Sequence, residues 1–137
     1  MRSNLFSYII ALTFGVTAGL TTLFVIPSQF EIAVWVLLTL FLGILSHYQF
    51  DKYKFRNAFV IAIFAGIAIT LTHLYFIKQY LMTHQEEIET LDKILIKGSY
   101  RLTLLIIAPI YWIVLGALTG LTNLILGKIL RTISPNR

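Results

Sequence analysis

Few side chains in this sequence are equipped for chemistry, and they divide between apolar stretches and one polar segment. His73 lies five residues before Lys78, near the end of the third apolar stretch. An ionisable group inside a membrane is a functional candidate by default, as a proton relay or ligand contact. His73 is therefore kept with Thr70 as a candidate polar or pathway residue. The plainer alternative is a neutral histidine bonded to a neighbouring helix. His84 stands beside Glu86 and Glu87, with either of which it could sense pH or hold a metal. With no second histidine close to it in sequence, a solvated helix face is the expectation. His47 also reads as solvated. The acids Glu86, Glu87, Glu89 and Asp92 form a candidate outer interaction surface, and Asn123 is expected to hydrogen-bond between helices.

The inventory excludes more than it offers. There are no cysteines, which removes disulfides, zinc–thiolate sites and thiol catalysis. Hydrolysis within a membrane needs a Ser-His, Asp-Asp or His-Glu constellation, and His73 has no carboxylate beside it in its span. The chain is expected to be non-catalytic, with no cofactor and no metal.

The elements that must position these groups are apolar helices. The chain is 58% hydrophobic and 12% charged, against about 25% charged for a soluble domain. A bilayer-spanning helix needs about 20 predominantly apolar residues. Four stretches qualify, at 5–26, 30–47, 55–77 and 102–126, and the middle of each holds only apolar residues, glycine and threonine. The first ends at Pro27, and its apolar core exceeds the roughly 7–15 residues of a signal peptide. Pro109 should kink the fourth by freeing a carbonyl one turn earlier. The expected fold class is an all-α integral membrane protein, a four-transmembrane-helix bundle forming a single domain over 1–137.

Between the third and fourth spans, residues 79–100 carry Leu81, Ile88, Leu91 and Leu95 at helical spacing. This predicts an amphipathic helical segment. It either prolongs the third helix as a rod or bends near Tyr80 to lie on the membrane surface, and the bent form buries those leucines better. Gly98 is the expected stop.

Small residues recur along each span, as helix association in lipid requires. The expected helix-packing set is Gly15, Gly19, Gly43, Gly66, Gly116, Gly120, Asn123 and Gly127. Residues 14–23 and 115–124 share Gly-xxx-Gly-Leu-Thr-x-Leu, either by duplication or by chance among glycine-rich helices.

Basic residues set the orientation. Arg2, Lys52, Lys54, Arg56, Lys128, Arg131 and Arg137 fall on one side, against Lys78, Lys93, Lys97 and Arg101 on the other. The positive-inside rule then places both termini in the cytoplasm, and a bacterial inner membrane fits the size and simplicity. The net charge of +5 is spread over several short loops, so nucleic acid is not an expected partner. Without an intramembrane acid, ion-coupled transport is disfavoured. The expectation is a small membrane subunit that binds, anchors or stabilises a partner. Its partners would be the lipid bilayer and either another protein or copies of itself. The alternatives are a small oligomeric channel or transporter, with Thr17, Thr70, His73 and Thr119 along a path, and a membrane-perturbing or immunity-type protein.

Overall fold

A computed structural model describes residues 4–50, 54–94, 96 and 98–133, apart from the side chains of Asn4, Glu86, Arg131 and Ile133. The described residues form six α-helices and one 3₁₀ turn, with no strand among them. Four of the helices are long and apolar enough to cross a membrane: α1 (Asn4–Phe24), α2 (Glu31–Gln49), α3 (Lys54–Tyr75) and α6 (Tyr100–Ile133). Two short helices, α4 (Ile77–Thr83) and α5 (Gln85–Lys93), lie between α3 and α6. In hydrocarbon only a helix or a closed barrel satisfies its own backbone groups, and runs of this length take the first solution.

Where the helices break is set locally. After α1, Pro27 leads into a 3₁₀ turn at Ser28–Phe30, with Phe30 N donating to Pro27 O at 2.9 Å. That turn delivers Glu31 as the first residue of α2, where a carboxylate suits the positive end of the helix dipole. At Phe76 the backbone departs from helical angles (φ −97°, ψ 37°), and it does so again at His84 (φ −115°, ψ 50°). The hydrogen-bond ladder runs on through both, since Tyr80 N reaches Phe76 O and His84 N reaches Tyr80 O, each at 3.0 Å. The segment after α3 is therefore a jointed continuation and not a straight rod. α5 ends at Lys93, before Gly98. Gly98 serves the turn into α6, where its φ of +67° needs a residue without a Cβ. Thr103 on α6 secures that turn by accepting from Ile96 N at 2.9 Å. α6 then runs for 34 residues through Pro109 and carries Lys128 beyond the expected end of the fourth span.

The four long helices pack around α3, which buries Ala58, Ile61, Ala62, Ala65, Gly66, Ala68, Ile69, Thr72 and His73. α1 lies parallel to α3. A Cβ placed at Gly15 would come within 2.4 Å of the Ala65 carbonyl oxygen, and one at Gly19 within 3.0 Å of Thr72. On the antiparallel α3–α6 seam the glycines face rings instead: Gly116 meets Phe59, Gly120 meets Phe55 and Gly66 meets Trp112. The two similar ten-residue segments thus both lean on α3, at different levels and against different partners. α2 runs parallel to α6, with Gly43 against Thr122 and Gly127 against His47. Facing outward are Leu5, Ile9, Leu37, Ile110, Ile113 and Ile125, among many exposed apolar side chains. So much exposed hydrocarbon is what a lipid-facing surface presents.

Candidate functional site

The buried ionisable groups gather at one end of these helices, beneath α4 and α5. Two breaks, at Phe76 and His84, fold the chain after α3 back over the ends of α1 and α2. Leu23, Ile77, Tyr80 and Leu91 make a small core there, flanked by Phe76, Leu81, Tyr100, Leu104 and Ile107. Gln79 Nε2 reaches the Leu23 carbonyl at 3.5 Å, close to one of the acceptors that the end of α1 leaves free. We call this the cap end.

The inward face of the cap is Ile77, Tyr80, His84, Glu87 and Leu91. These positions recur at three- and four-residue intervals, as one side of a helix does. The sequence pattern of Leu81, Ile88, Leu91 and Leu95 points to a face rotated by about one residue. The expectation of a solvated His84 is overturned: its exposure is 0%. The cause is non-local, because the chain turns His84 onto Glu31, which is 53 residues away in sequence.

His84 is held on both sides. Its Nδ1 lies 2.7 Å from Thr83 Oγ1, and Thr83 spends its own hydrogen on the Gln79 carbonyl at 3.0 Å. Thr83 Oγ1 therefore accepts from His84 Nδ1–H, which directs Nε2 toward the acids. That Nε2 is buried and makes no hydrogen bond, yet it stands 3.4 Å from Glu31 Oε2. Glu87 is half-buried, and its Oε2 accepts from the Tyr80 hydroxyl at 2.6 Å. One ligand atom each from Glu31, His84 and Glu87 lie within 4.8 Å of one another.

Aromatic rings wall the cluster. Tyr80 and His84 stack with centroids 4.4 Å apart, and His73 lies 5.0 Å from Tyr80 and 5.9 Å from His84. His73 Nε2 is 3.1 Å from Thr22 Oγ1 on α1, whose hydroxyl bonds the Gly19 carbonyl at 3.0 Å. His73 is thereby engaged with α1 and does not point its bonded nitrogen at the acids.

The electrostatics follow from burial beside carboxylates. Burial disfavours the charged form of His84, but the Glu31 carboxylate more than offsets this and raises its pKa above 6.5. Burial raises Glu87, and the Glu31 charge adds to the effect. Tyr80 is pushed far above the ordinary phenol range by burial and by Glu87. Chemically, the arrangement is a buried imidazole whose Nε2 faces two carboxyl groups, with neither lysine nor arginine paired to them among the described residues.

The remaining sequence candidates are placed elsewhere. Thr70 accepts from Trp112 Nε1 at 2.9 Å, an α3–α6 tie. Glu89 and Asp92 are exposed, and Asp92 accepts from the Tyr100 hydroxyl. The Glu86 side chain lies outside the described residues. Asn123 is fully buried at the opposite end, where its Nδ2 donates to Ser46 Oγ at 2.6 Å. His47 is half-buried against Gly127 and not free in solvent. Sequence reasoning passed over Glu31 and Tyr80. The one local signal was the Tyr80, His84, Glu87 spacing, which a search for apolar periodicity ignores.

No protein-family model matches the chain, nor does any curated protein or solved structure.

Proposed function

We propose that this chain is a non-catalytic membrane subunit: a four-helix bundle that anchors in the bilayer and binds through its cap end. One observation carries the reading. The ionisable side chains that the fold buries are grouped beneath the cap, and the middle of every span has none. A carrier that moves a charged solute needs polar groups along the way, whereas a binding protein needs them only where its ligand sits.

In this reading the small residues hold the bundle itself together. Gly15 and Gly19 let α1 approach the α3 backbone, and Gly66, Gly116 and Gly120 make room for aromatic rings. Those surfaces are spent on internal packing, so a protein partner or a second copy meets the cap or the lipid-facing sides. In this reading the cap lies outside and both termini lie in the cytoplasm of a bacterial inner membrane, and the excess of lysine and arginine at the other end supports that orientation.

The channel alternative finds less support. Thr17 is exposed and bonds the Thr13 carbonyl, Thr70 is bonded to Trp112, and Thr119 is buried with its hydroxyl on the Leu115 carbonyl.

The test uses the absence of native cysteine. Single cysteines at Ser28, Gln85 and Tyr53 are treated in intact cells with an impermeant reagent, and a photo-crosslinker is placed at Thr90 on the cap. The expected result is labelling at positions 28 and 85 only, with crosslinks from Thr90 to a membrane protein or a second copy. Sustained ion or solute flux in liposomes, with no cap crosslink, would overturn the reading.

A further inference from the structure

We propose that Glu31, His84 and Glu87 form a site for one divalent transition-metal cation of the Zn²⁺ class. This rests on the reading of the cap end as the binding part of the molecule and names its ligand.

The argument begins with charge. A buried carboxylate is costly unless paired, and here two carboxyl groups and an imidazole nitrogen converge. Thr83 fixes the His84 tautomer with the proton on Nδ1, so Nε2 offers a lone pair toward the acids. Protons can tie these three atoms only in pairs, whereas one metal ion bonds all three at once.

Geometry supports the metal. Tetrahedral Zn²⁺ with nitrogen and oxygen ligands at about 2.0–2.2 Å places donor atoms about 3.3–3.5 Å apart. The His84 Nε2 to Glu31 Oε2 separation is already 3.4 Å, and the whole set spans no more than 4.8 Å.

The outer partners of the ligands are also in place. Metal-bound histidines donate their other ring nitrogen to an oxygen, and ligating carboxylates are themselves hydrogen-bonded. Thr83 Oγ1 takes the first role and the Tyr80 hydroxyl the second. One imidazole with two carboxylates is a mixed nitrogen and oxygen set. It suits Zn²⁺ or a neighbouring first-row ion better than Ca²⁺ or Mg²⁺, which take oxygen alone. Three protein ligands leave a fourth position for water. Because Glu31 begins α2 while His84 and Glu87 belong to the cap, the ion would also clamp the cap onto the bundle.

The test uses the whole chain in lipid nanodiscs, stripped with chelator and titrated with Zn²⁺ alone. The expected result is saturable binding of one ion per chain, weakened at least tenfold in Glu31→Gln, His84→Gln and Glu87→Gln and unchanged in His47→Gln. X-ray absorption at the zinc edge should show nitrogen and oxygen ligands near 2.0–2.1 Å. Should His84→Gln fail to fold, the half-buried Glu87→Gln variant and the absorption spectrum carry the test. Absence of saturable binding, equal affinity in all variants, or a shell of oxygen alone would overturn the site. Crosslinking from Thr90 in chelator-treated membranes separates the two proposals: if it persists while zinc fails to bind, only the metal site is lost.

Discussion

The two ends of the helix bundle both bury polar side chains, and they use them differently. At the end opposite the cap, Ser46 Oγ donates to the Gly43 carbonyl at 2.9 Å and accepts from Asn123 Nδ2 at 2.6 Å. These groups are neutral, and the Asn123–Ser46 bond ties α6 to α2, which Gly43 lets approach closely. Such a network joins helices and costs little if one acceptor stays unpaired, as Asn123 Oδ1 does. At the cap end the buried groups are ionisable, and the unpaired atom is the His84 nitrogen beside two acids. The difference teaches that burial of a polar residue in a membrane bundle is not by itself a sign of function. What separates the ends is whether the unpaired atom faces neutral amide and hydroxyl groups or ionisable carboxyl groups.

Substitutions at the two ends should break this comparison in opposite ways. The largest effect is expected from metal-dependent stability. Zn²⁺ at about 100 times its dissociation constant should stabilise the folded chain by about 2.7 kcal/mol, read as a shift in thermal unfolding. That gain should fall by about half or more in His84→Gln. Next comes Asn123→Ala, which removes the α6–α2 bond to Ser46 and leaves the Ser46 hydroxyl on the Gly43 carbonyl. It should cost about 1.5 kcal/mol in unfolding measurements while leaving the zinc-induced shift intact. If Asn123→Ala also removed the shift, the two ends would not be independent.

Two smaller effects sharpen the assignment within the cap. Tyr80→Phe removes the hydroxyl that orients Glu87 and should weaken Zn²⁺ by about tenfold, measured by competition with a fluorescent chelator. Thr22→Val removes the partner of His73 and should cost about 0.6 kcal/mol, the usual scale of an interhelical hydrogen bond in a membrane protein. Its zinc affinity should match the unsubstituted chain, because His73 is not a ligand. A large loss of affinity in Thr22→Val would bring His73 into the site.

The spans were legible because a run of about 20 apolar residues leaves little choice of structure. Pro27 was legible as a stop for the same local reason. The cap was legible as helical, and Leu81 and Leu91 do meet its small core, while Leu95 lies outside the described residues. The centre of the inward face lies about one residue away from the apolar pattern. Apolar periodicity selects leucines and isoleucines, so it favoured Leu81 and Ile88 and missed the inward face bearing Tyr80, His84 and Glu87. Leu91 belonged to both patterns, which is why the error was small in angle and large in consequence. Glu31 could not be read as a site residue at all. It became one when the Pro27 turn placed it at the head of α2 and the cap, some fifty residues later, closed over it. Thr70 illustrates the reverse case: a polar residue within a span that suggested a path is taken up by Trp112 from the facing helix.

The account depends most on the chain folding back after α3, since this alone brings His84 to Glu31. Paired cysteines at Leu23 and Leu91, which share the small core of the cap end, test it directly in a chain with none of its own. Oxidation in membranes should join Leu23→Cys to Leu91→Cys as readily as a control pair at Phe14 and Phe41, whose rings stack at 4.1 Å. A crosslink in the control and none between positions 23 and 91 would mean that the cap stands away from the bundle, and the site would not exist.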